Sequence, residues 1–200
     1  MTEPSQRPTA IKIVAAAHLL IGLAFLTVPL LGLLYGQEVQ AAADAEVVRQ
    51  GLPVSVLADN NLSFRESGIA IAIPVVIALA LAALGLWMLT ARRAARIVSL
   101  IVMPLIILAN AAIVVSNASA VTALQTMFDQ SNDANLSRLN AQSLFDATLA
   151  AYPDWLPLLT NARNTVVFGC SLLIIVLLTM RSARAYFRTQ TSPRAALSVG

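Results

Sequence analysis

The chain is expected to be an all-α membrane protein, with four transmembrane helices in a bundle and a small helical extracytoplasmic cap. Three observations lead there. Of the 200 residues, 58% are hydrophobic and only 12% are charged, against about 25% charged in soluble domains. Four stretches approach or reach the roughly 20 apolar residues with which a helix crosses a bilayer core of about 30 Å. Basic residues gather at one set of span ends and acidic residues at the other.

The first span is residues 11–35, "IKIVAAAHLLIGLAFLTVPLLGLLY". At about 1.5 Å per residue it exceeds the bilayer core, so it must tilt or kink, and Pro29 is the natural kink site. "AAADA" at 41–45 resembles a signal-peptide cleavage site, but the apolar region is far longer than the usual 7–15 residues, which favours an uncleaved span. The first outer segment is 36–67. Within it "QEVQAAADAEVVRQ" places Val39, Ala43 and Val47 on one face and stops at Gly51 and Pro53, the pattern of a short amphipathic helix.

The second span, 68–91, and the third, 97–116, contain no charge and carry one proline each, Pro74 and Pro104. Residues 92–96 join them as a tight turn. In the second outer segment, 117–160, Val121, Leu124 and Phe128 continue the third helix beyond the bilayer until "DQSNDAN" ends it. A further helix is expected over about 135–151 with Phe145, Leu149 and Tyr152 as its face. "YPDWLPLL" then brings Tyr152 and Trp155 to the interface, where aromatic rings prefer to sit. Pro153 and Pro157 make that re-entry irregular. The apolar core of the fourth span runs only from 165 to 180 and borrows length from Asn161, giving 161–180, with the tail 181–200 continuing the helix.

Lysine and arginine near span ends are retained on the cytoplasmic side. Arg7 and Lys12 precede the first span, Arg92, Arg93 and Arg96 join the second and third, and Arg181, Arg184, Arg188 and Arg194 follow the fourth. On the other side Arg49, Arg65, Arg138 and Arg163 are outnumbered by Glu38, Asp44, Glu46, Asp59, Glu66, Asp129, Asp133, Asp146 and Asp154. Both termini are therefore expected in the cytoplasm of a bacterium, since an arginine- and alanine-rich composition with one lysine is the habit of GC-rich bacterial genomes. The net charge of +3 does not point to nucleic acid, because the positive residues follow the membrane edge and not the face of a soluble domain. Their expected partners are anionic lipid headgroups, contacted by Arg92, Arg93, Arg96, Arg181, Arg184 and Arg188, with Trp87, Tyr152 and Trp155 as interfacial anchors.

His18 is the one titratable side chain deep in a span. A buried polar group inside a membrane suggests function. Yet this histidine has no second imidazole for a metal and no acid in any span for a proton relay, so hydrogen-bonded packing near Gly85 and Trp87 is favoured over ligand or proton chemistry. Asn110 is the other buried polar candidate, expected to link helices or face a partner chain. Ala70, Pro74, Ala78, Ala82 and Gly85 form a small-residue stripe on the second span that allows close helix approach, within the chain or with a subunit. "GLLYG" at 32–36 is a second, weaker motif. Sequons at Asn61, Asn117 and Asn135 read as chance matches in a bacterium. Asp129, Asp133 and Asp146 fit a solvated acidic surface better than an acid/base pair. No catalytic, cofactor-binding or metal motif is present, and Cys170 stands alone in an apolar run.

The layout of a smaller and a larger outer segment with a short inner turn resembles that of tetraspanins and claudins. Neither outer segment carries the cysteines of those families. The four-helix quinone-linked thiol oxidoreductases require CxxC and the small multidrug transporters a glutamate in the first span, and this chain has neither. The layout and composition of the whole chain resemble those of small four-span membrane proteins of actinobacteria. That resemblance implies an accessory or scaffold subunit of a larger envelope complex, with lipid-transport and respiratory assemblies as hosts and other membrane subunits as partners. The alternative is a small carrier or lipid-binding protein with a cavity near His18 and Asn110.

Overall fold

A computed structural model describes residues 8–65, 68–90 and 92–189. These residues contain helices and connecting turns and no strand. The helices are α1 (Thr9–Arg49), the single-turn α2 (Val56–Asp59), α3 (Ile69–Met88), α4 (Arg93–Asp129), α5 (Ala141–Ala150), α6 (Leu156–Thr179) and α7 (Arg181–Thr189), with a 3₁₀ turn at Leu136–Arg138. Four of them, α1, α3, α4 and α6, are long and apolar enough to cross a membrane. The tail beyond residue 189, with Arg194, and the amino-terminal Arg7 lie outside the described residues.

Several boundaries differ from expectation for physical reasons. The first span and the amphipathic stretch after it are one helix of 41 residues that Pro29 does not end, about 60 Å long at 1.5 Å per residue and thus twice a bilayer core. It stops where Gly51 takes φ +76°. There Leu52 N–H donates to Val47 O at 3.2 Å and Gly51 N–H to Val48 O at 2.9 Å, the paired bonds of a glycine-terminated helix, with Leu52 and Val47 sharing one apolar cluster. The turn placed at 92–96 is shorter, because Arg93 and Arg96 already belong to α4. The last long helix starts at Leu156, before the expected 161, since Pro157 sits in the first turn, where its missing amide has no intrahelical partner to lose. It ends at Thr179, and the tail forms the separate helix α7 in place of a continuation.

The chain divides into two compact units. Residues 1–26, 75–110 and 162–200 form the first. Its core is a contiguous apolar cluster that includes Ile21 and Phe25 of α1, Leu81 and Met88 of α3, Met103 and Ile106 of α4, Ile174 and Leu178 of α6, and Tyr186 and Phe187 of α7. The buried residues of α4 in this unit, namely Ala95, Ser99, Met103, Ile106 and Asn110, recur at intervals of three and four, one face of a helix.

Residues 27–74 and 111–161 form the second unit. Its core holds Ala43 and Val47 of α1, Leu52, Val56 and Leu57 after it, Phe128 of α4, Leu136 and Leu139, and Ala141 and Leu144 of α5. Gln50 pins the start of α5: its side chain accepts from Asn140 N–H at 2.8 Å and donates to Asn140 O at 3.4 Å. Asn140 in turn caps α5 by accepting from Ser143 N–H at 2.8 Å. This fixed start rotates the helix so that Ala141, Leu144 and Thr148 face inward, and the expected face of Phe145, Leu149 and Tyr152 does not form. Leu149 is 47% exposed. Tyr152 instead meets the ring of Tyr35 edge-on, centroids 6.0 Å apart.

Candidate functional site

Helical spacing places His18 one turn beyond Val14 on the buried side of α1, and the imidazole is fully enclosed. Nδ1 lies 2.7 Å from Val14 O. A carbonyl only accepts, so Nδ1 carries the proton, and in the neutral ring Nε2 accepts from the Ser99 hydroxyl of α4 at 2.9 Å. Both ring nitrogens are thus occupied by structure. Sequence reasoning placed Gly85 and Trp87 beside His18 and missed Ser99, whose only signal is its place on the buried stripe of α4.

Of the small-residue stripe, Ala78 and Gly85 are buried, Ala82 is half-buried and Ala70 is exposed. A Cβ on Gly85 would come within 3.0 Å of both Ala15 O and His18 Cβ. A Cβ on Gly22 of α1 would come within 3.1 Å of Ala78 O. The two helices therefore use complementary small residues inside one chain, and Gly22, not the "GLLYG" pair, supplies the other half. Trp87 is half-buried and lines a groove of about 330 Å³ with Leu81, Leu84, Val98, Val102 and Ile106.

Asn110 is fully buried, and neither its amide nitrogen nor its oxygen has a hydrogen-bond partner in the structure, as is also true of the Ser171 hydroxyl. Asn110 therefore makes no side-chain hydrogen bond to another helix of the chain. On α6 the Arg163 guanidinium stacks over the Phe25 ring, 5.4 Å from its centroid, a cation–π contact that takes the place of an acidic partner.

The arginines at the other ends of the helices of this unit are not equivalent. Arg92, Arg93, Arg181 and Arg184 are exposed and Arg96 is half-buried, but they differ in what they contact. Arg93 Nε donates to Phe187 O at 3.3 Å and Arg96 Nε to Leu178 O at 3.0 Å. Together with Arg184, Ile97 and Phe187 they line a cleft of about 290 Å³. The side chain of Arg188 lies outside the described residues.

The chain matches no family model, no curated protein and no solved structure.

Several titratable groups in the second unit are likewise engaged. Arg49 donates to both Glu46 oxygens at 2.6 Å and Gln50 to one of them at 2.8 Å. The Arg49 hydrogen bonds, aided by Gln50, hold the Glu46 carboxyl below the usual glutamate range although burial opposes them. Asp133 is held below its ordinary value first by Asn60, which donates at 2.9 Å, and then by the amides of Asn135 and Leu136. Asp129 accepts from Gln125 at 2.8 Å and Asp146 from Gln142 at 2.8 Å, each within its own helix. The expected interfacial ring Trp155 is 48% exposed. A second-unit cavity of about 520 Å³ is lined by Gly32, Gln37, Glu38 and Arg65 among others. Among the described residues, no three His, Cys, Asp or Glu side chains are grouped to hold a metal.

Proposed function

We propose that this chain is a non-catalytic membrane subunit, a four-helix bundle with a small helical cap outside, which serves as an accessory or scaffold component of a larger bacterial inner-membrane assembly. Both termini lie in the cytoplasm, residues 36–67 and 117–160 face outward, and anionic lipids contact the inner arginines. Lipid-transport and respiratory complexes are the first hosts to test, on the strength of the resemblance to small actinobacterial four-span proteins.

The observation that supports this role is where the polar groups are spent. His18 is held between Val14 O and Ser99, Glu46 between Arg49 and Gln50, and Asp133 between Asn60 and two backbone amides. Side chains able to do acid–base work serve instead to lock helices and turns in place. A carrier with a cavity at His18 and Asn110 draws no support, because both are fully buried and neither lines any of the three cavities described above.

The test is purification of the tagged chain from its native membrane in mild detergent, with mass spectrometry of what accompanies it. Stoichiometric membrane subunits are the expected result. Elution of the chain alone would overturn the accessory role.

A further inference from the structure

We propose that Arg93, Arg96 and Arg184 form a discrete site for a phosphate group, supplied by the headgroup of an anionic phospholipid. This rests on the membrane-spanning character of α4 and α6 and not on the scaffold role, so each can fail without the other.

The site is built, not merely basic. It joins the first turns of α4 to α7 and to the end of α6, and hydrogen bonds fix that junction: Arg93 Nε to Phe187 O of α7 at 3.3 Å and Arg96 Nε to Leu178 O of α6 at 3.0 Å. The Arg93 guanidinium, held through Nε, still presents terminal amino groups in a planar fork suited to phosphate oxygens. Ile97 and the buried ring of Phe187 complete the walls, which lowers the local dielectric and strengthens any ionic contact made there. The volume, about 290 Å³, is at the lower end of small-molecule pockets and suits a headgroup in place of a whole lipid.

Charge favours an external anion. The described residues of the first unit include Lys12, Arg92, Arg93, Arg96, Arg163, Arg181, Arg184 and Arg188 and not one aspartate or glutamate. Every acid except Glu3, outside the described residues, falls within the second unit's segments. The Arg93 and Arg184 guanidinium groups line one cleft and repel each other, and among the described residues of this unit no aspartate or glutamate offsets that repulsion. The cleft lies where α4 begins and α6 has just ended, the headgroup depth for helices that span a bilayer, where basic pockets between helices take up lipid phosphates.

The experiment uses the full chain in phosphatidylcholine nanodiscs with and without phosphatidylglycerol, read by native mass spectrometry and thermal melting. One phosphatidylglycerol per chain is expected to be retained in preference to phosphatidylcholine. Arg184→Gln should weaken that retention roughly fivefold, the equivalent of about 1 kcal/mol per arginine near a lipid surface, and the Arg93→Gln/Arg184→Gln pair should abolish it. Arg184 makes no backbone bond across the junction, so its variant tests the site without loosening α7. Arg181→Gln, on the same helix but outside the cleft, should leave binding unchanged; an equal loss there would replace the site by diffuse attraction and overturn it. Undiminished retention in the double variant would also overturn it. Inorganic phosphate added to the lipid-free, detergent-solubilised chain is the second arm. Stabilisation by phosphate alone, lost in Arg184→Gln, would overturn the lipid source in favour of a soluble phosphate. No preference between the two lipids would overturn lipid binding and leave the arginines to an acidic protein segment.

Discussion

Gly85 and Gly169 both lie in long helices whose residues pack in the first unit, yet they predict opposite outcomes. An added methyl at Gly85 meets a backbone oxygen and the His18 Cβ at 3.0 Å, whereas nothing lies within 4 Å of one added at Gly169. Gly85→Ala must push α1 and α3 apart, with an overpacking cost of about 1–3 kcal/mol. Gly169→Ala gains helix propensity, up to about 1 kcal/mol. Thermal melts of the two variants in the same detergent should move in opposite directions, and a neutral Gly85→Ala would refute the close approach. The small-residue stripe was visible in the sequence as a spacing, but its partner was not: Gly22 and Ala15 are identified only by the register of α1 against α3. His18 was visible for the same reason, as a lone polar residue in an apolar run, while Ser99 was hidden because a serine in a span is unremarkable until something faces it.

The carboxylates lead to a pH dependence confined to one unit. Glu46 and Asp133 both titrate below their ordinary values in the folded chain, held there chiefly by Arg49 and Asn60. A depressed carboxyl contributes stability that is complete above its unfolded pKa, near 4, and is lost as pH falls through the lower folded value. Hydrogen exchange of residues 43–50 and 133–139 should therefore accelerate as pH drops below about 4, after correction for the intrinsic rate. The described residues of the first unit hold no acid, so this carboxylate response should be missing there; an acid effect on that unit would belong to the enclosed His18, whose protonation at Nε2 would break the bond it accepts from Ser99. Glu46→Gln should flatten the response around 43–50. An unchanged acid response around 43–50 in Glu46→Gln would contradict this assignment.

At the scale of elements, the start of α5 shows how one polar residue overrides a hydrophobic pattern. Periodicity alone admits two faces for this helix, and the sequence favoured the more apolar one, with Phe145 and Leu149. The cap at Asn140, itself held by Gln50 from the end of α1, selects the other, with Leu144 inward. A contact ninety residues away in sequence leaves no local trace, which is why that face was misassigned. Asn140→Ala should cost about 1 kcal/mol, as loss of a helix cap generally does, and should expose Leu144 to exchange. A change within error would mean that Gln50 alone fixes the start of the helix. The long helices were more legible, because an uninterrupted apolar run declares itself. Their ends were less so: α6 extends back to Leu156 through a proline that looked like a break, and α7 separates from it at Met180.

At the scale of the molecule the decisive feature is the separation of charge along the chain. Cations flank the apolar runs near residues 12, 92–96 and 181–188, while carboxylates concentrate in 38–66 and 129–154. Because lysine and arginine near span ends resist translocation and acids contribute little, crossings by the four long apolar helices would have a single consistent orientation. The proposed topology puts residues 94 and 200 in the cytoplasm and 50 and 140 outside. Reporter fusions at those four positions decide it, with an enzyme active only outside the membrane paired with one fluorescent only inside. The fusion at 94 matters most. Arg92, Arg93 and Arg96 lie within five positions between two uncharged spans, and moving them outward would carry three guanidinium groups across the hydrocarbon, at about 2.5 kcal/mol or more each on insertion scales. An external signal at 94 would reverse every segment and place the arginine cleft in the opposite leaflet. Phosphate binding there would then need anionic lipid on the outer side, so the lipid experiment and the fusion experiment constrain each other through the two side chains they share, Arg93 and Arg96.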